Sequence, residues 1–88
     1  MPAYKALLTL DLGQGTPDQK AKFYQTLTAA TWQRLGQMET AWRCSWSDIE
    51  YEKAVQEIKD DVDKAALTAG IQRYPYAFQL GENTVKSF

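Results

Sequence analysis

Two hydrophobic periods share this chain. From Tyr4 to Leu12, Tyr4, Ala6, Leu8, Leu10 and Leu12 fall on one side of a period-two pattern and Lys5, Leu7, Thr9 and Asp11 on the other. That predicts a first strand whose aliphatic face meets helices. Between Thr40 and Glu50, Trp42, Cys44 and Trp46 alternate with Ala41, Arg43 and Ser45, which predicts a second aromatic-faced strand with both tryptophans largely buried. Tyr74, Tyr76, Phe78 and Leu80 alternate with Arg73, Ala77 and Gln79 in a late strand, and Pro75 places that strand at a sheet edge or Pro75 at its start.

The helical period fills the gaps. Thr16-Pro17-Asp18-Gln19 reads as an N-cap, a proline at the first helical position and a capping box, opening a helix to about Ala30 with Phe23, Leu27 and Ala30 inward and Tyr24 beside them. Ser47-Asp48-Ile49-Glu50 reads as a second capping box, opening a helix over Asp48 to Ala69. Its seam is Tyr51, Val55, Ile58, Val62, Ala65 and Ala69, and Gly70 follows as the natural left-handed terminator. Asp60, Asp61 and Asp63 are weak interior helix formers and mark the place where this helix would kink or break. Thr31 to Met38 is the least regular stretch, read as a strand bent near Gly36 that turns at Gln37–Glu39 into the Trp42 strand. Gly81 to Asn83 turns the chain, leaving Thr84 to Phe88 for a short last strand.

The resulting order is β-α-β-β-α-β. It predicts an α+β ferredoxin-like sandwich over residues 1–88 as a single domain, an antiparallel sheet with two helices on one face and room for a short C-terminal fifth strand. This architecture hosts many unrelated functions and selects none.

Composition narrows the classes. With 44% apolar residues and a formal net charge of −1 the chain is a globular protein without a basic footprint, which argues against nucleic-acid binding unless a partner helps. Neither a signal peptide nor an apolar run of membrane-spanning length is present, and one cysteine cannot form an intrachain disulfide, so a reduced, cytoplasmic setting without a membrane is expected.

Candidate chemistry is sparse. Histidine is absent, removing the commonest general base and neutral metal ligand. Asp11, ending the first strand beside Gly13-Gln14-Gly15, is the best candidate for a metal ligand or catalytic carboxylate. One carboxylate makes a poor Mg²⁺ site, whereas two copies across a dimer axis make a better one. The bland reading is a carboxylate ordering its own loop. Asp11 to Thr16 also resembles the Asp-x-Gly-x-Gly-Thr phosphate loop of sugar kinases, but those enzymes close two large domains over a nucleotide and this chain has only one. Cys44, with no base beside it, reads as a buried inert thiol, and Glu57, Asp60, Asp61 and Asp63 as a solvated acidic run near Lys53, Lys59 and Lys64.

Taken together, the apolar first strand ending in aspartate (LLTLDL), the capped helix, TAWRCSW, the second helix and the tyrosine-rich late strand resemble the small CRISPR-adaptation nuclease-fold proteins and their VapD-, SinR- and GhoS-like relatives. Only Asp11 matches a functional position. The resemblance implies a homodimer, with Asp11 at its axis serving Mg²⁺-dependent cleavage and Thr84 to Phe88 pairing across the interface. It also suggests a setting in toxin–antitoxin systems or phage defence.

The reading preferred from the residues is a homodimerising ferredoxin-like module that acts by protein interaction or regulation, with no cofactor. The alternative is a Mg²⁺-dependent endonuclease or endoribonuclease with paired Asp11, and a third is a small-molecule sensor using the aromatic sheet face. A second helix of about 22 residues, ~33 Å, would overhang strands of about six residues, ~20 Å. Val62, Ala65 and Ala69 in the overhang, with Leu7 and Thr9 on the open sheet face, are therefore the expected dimer contacts.

Overall fold

The structure, a computed structural model, describes residues 3–13, 15–36 and 40–82. The elements run β1 (Ala3–Leu10), α1 (Pro17–Ala29), β2 (Gln33–Arg34), β3 (Ala41–Ser47), α2 (Tyr51–Ala69) and β4 (Tyr76–Gly81). The strands form one antiparallel sheet in the order β2-β3-β1-β4, so each β-α-β unit straddles a strand of the other. The ferredoxin-like α+β sandwich expected from the order of elements is what the chain forms. The predicted strand over Thr84–Phe88 and the turn at Gln37–Glu39 lie outside the described residues.

Both helices cover one face. Ala6, Leu8, Leu10 and Leu12 of the β1 face are buried against Phe23 and Leu27 of α1 and Ile58, Val62, Ala65 and Ala66 of α2, with Trp32, Trp42, Cys44 and Ile71 in the same cluster. Tyr24 and Trp42 lie 5.5 Å apart between ring centroids, and Trp32 meets Trp46 edge-on at 5.8 Å. The α1 start is the one the residues dictate: Thr16 Oγ1 accepts from Gln19 N at 3.2 Å while Gln19 Oε1 accepts from Thr16 N at 2.9 Å. Gln19 Nε2 then donates to Gly70 O at 3.2 Å, tying this end of α1 to the left-handed terminator of α2, where Gly70 has φ 72°.

Several expectations are corrected. Ser47 does not cap α2. It is still paired with Ala3 in the ladder, Asp48 ends the strand at φ 54°, and the helix starts at Tyr51 with Glu50 as an N-cap whose side chain makes no capping bond. α2 runs unbroken through Asp60, Asp61 and Asp63. The buried seam is Ala54, Ile58, Val62, Ala65, Ala66 and Ala69, while Val55 is half-buried and Tyr51 half exposed against Tyr4. Trp46 is only partly buried, whereas Trp32, in the irregular stretch, is 1% exposed. β2 itself is two residues long.

The helical overhang is absent as well. β1 has eight residues and α2 nineteen, about 27 Å and 28 Å at their usual rises, so sheet and helix match in length. Val62, Ala65 and Ala69 are therefore consumed by the chain's own core, at 0%, 0% and 6% exposure, and offer a second copy no surface. Leu7 is half-buried and Thr9 exposed on the open sheet face.

Candidate functional site

Asp11 leaves β1 on the exposed side of the sheet, its amide donating to Pro75 O at 3.0 Å. Its Oδ1 accepts from Gly13 N at 3.0 Å, an Asx turn closed within two residues. The carboxylate that sequence singles out for metal chemistry thus orders its own loop. Among the described residues no three histidine, cysteine, aspartate or glutamate side chains converge as metal ligands.

The glycine loop has a packing role. The amides of Gly13, Gly15, Thr16 and Gln19 already donate to Asp11 Oδ1, Leu12 O, Gln19 Oε1 and Thr16 Oγ1. A phosphate cradle needs such donors turned outward. At Gly15 an added Cβ would meet Ile71 Cδ1 and Leu12 O at 3.3 Å, so glycine there lets the loop close onto the segment after α2.

The acidic run is divided among different partners rather than gathered or simply solvated. Asp60 Oδ1 accepts from Gln56 Nε2 at 2.8 Å, Asp61 Oδ2 from Trp32 Nε1 at 2.9 Å, and Asp63 Oδ1 from Tyr74 Oη at 2.9 Å. Burial raises the Asp61 carboxyl above the usual aspartate value, and the indole bond opposes that shift. The bond to Asp63 holds the Tyr74 phenol up. Sequence reasoning missed the Trp32–Asp61 pair because its halves stand 29 positions apart. A tryptophan without strand alternation facing an aspartate inside an apolar helix pattern was the available signal.

Cys44 is buried with its Sγ 3.6 Å from Thr31 Oγ1 and 3.8 Å from Thr31 O, and burial pushes its thiol pKa up. A protonated thiol in that setting is a poor nucleophile.

The open sheet face presents Lys5, Leu7, Thr9, Arg43, Ser45, Ala77 and Gln79. Lys5 Nζ donates to Glu82 O at 3.5 Å and Arg43 Nε to Gln33 Oε1 at 3.2 Å, so both cations are engaged locally. The strand aromatics Trp42, Trp46, Tyr76 and Phe78 lie on the opposite, helix-covered face. Single-stranded nucleic acid binds sheets by stacking bases on exposed rings, and the described open face carries none. The same placement takes the aromatic sheet face away from the small-molecule reading, because the helices occupy it. What survives is a shallow groove of about 530 Å³ beside β2, lined by Tyr24, Trp32, Arg34 and Trp42 among others.

No described helix is long and apolar enough to cross a membrane. Compared with protein-family models, curated proteins and solved structures, the chain matches none.

Proposed function

We propose that the protein is a small homodimerising ferredoxin-like module that acts through protein interaction or regulation rather than catalysis. The observation that carries this reading is the Asp11 carboxylate, held by the Gly13 amide at 3.0 Å. Metal-dependent cleavage would require that oxygen to leave its loop and face a second acidic ligand, and Asp60, Asp61 and Asp63 are bonded to Gln56, Trp32 and Tyr74. Uncommitted surface supports association instead. Leu67 on α2 is 84% exposed, and β4, six residues without a charged side chain, is the outermost of the described strands on its side.

The test is direct. Pure protein incubated with single- and double-stranded RNA and DNA in Mg²⁺ should leave them intact, and light scattering should give twice the chain mass. Mg²⁺-dependent cleavage that disappears in Asp11→Asn would replace this reading with the paired-Asp11 nuclease.

A further inference from the structure

We draw no further inference here: the strongest candidate, the shallow groove between α1 and β2 lined by Tyr24, Thr28, Trp32, Arg34 and Trp42, carries nothing because its two indoles are already enclosed in the chain's own core, at 1% and 3% exposure, and nothing in the structure shows what covers it.

Discussion

Among the described strands, the two outermost are built on opposite plans. At one, β2 is two exposed residues, Gln33 and Arg34, and what holds it is the indole immediately before it: Trp32 is 1% exposed and donates to Asp61. At the other, β4 is six residues without charge whose aromatic side chains reach only the core margin. A short, charged edge resists pairing with other chains and a long neutral one invites it. The β2 edge spends its apolar area on stability, and the β4 edge leaves part of it available.

That difference predicts unequal costs for the same kind of truncation. Trp32→Ala removes a fully enclosed ring and orphans the Asp61 contact, and should cost about 3–5 kcal/mol, enough to unfold a domain this small. Phe78→Ala, at a half-buried site, should cost about half that, ~1.5–2.5 kcal/mol. Urea midpoints measured on dilute samples, where association contributes nothing, decide the order. If Phe78→Ala proves the more damaging, the β4 edge is core and the contrast collapses.

What could be read in advance followed the range of the interaction. The Thr16–Gln19 box, the Gly70 terminator and the β1 and β4 alternations depend on residues within a few positions, and each stands as the pattern predicts. Asp11 belongs with them, since its partner is two residues away. Trp32 does not, because its burial depends on α2 folding over it. Ser47 failed as a cap through competition: its residue pattern suits a helix start, but seven residues of strand pairing with β1 hold it in the ladder. The length of α2 mattered equally, because a helix of nineteen residues rather than about 22 no longer outruns β1, and Val62, Ala65 and Ala69 lie under cover.

The β2 edge also carries strain that the β4 edge lacks. α1 ends with Trp32 N donating to Leu27 O, which forces Thr31 to φ 74°. A β-branched residue is an outlier there, and this terminal position ordinarily belongs to glycine. Thr31→Gly relieves the clash while giving up the hydroxyl near Cys44 Sγ. The variant should gain about 1 kcal/mol in thermal or urea unfolding, since relief of one left-handed residue is worth ~1–2 kcal/mol. A loss of stability would mean that the threonine hydroxyl, rather than the turn, positions Trp32.

The smallest expected effect is electrostatic and concerns what holds Trp32 from the far side. Burial raises the Asp61 pKa first, the indole hydrogen bond lowers it, and Asp60 raises it further against Lys64. A carboxyl with a folded pKa above its unfolded value binds its proton more tightly in the native state. Its contribution therefore favours folding below the unfolded aspartate pKa and fades as pH rises through the higher folded value. Asp61→Asn keeps the shape and an oxygen for the Trp32 N–H, and it removes the titration. Relative to wild type, the variant should gain stability as pH rises across that window and change little below it, because both side chains are then neutral. Urea unfolding of the two proteins at a series of acidic pH values reads the difference directly. A wild type that instead gains on Asp61→Asn as pH rises would show that the indole bond outweighs burial, making the ionised carboxylate a net anchor of the β2 edge.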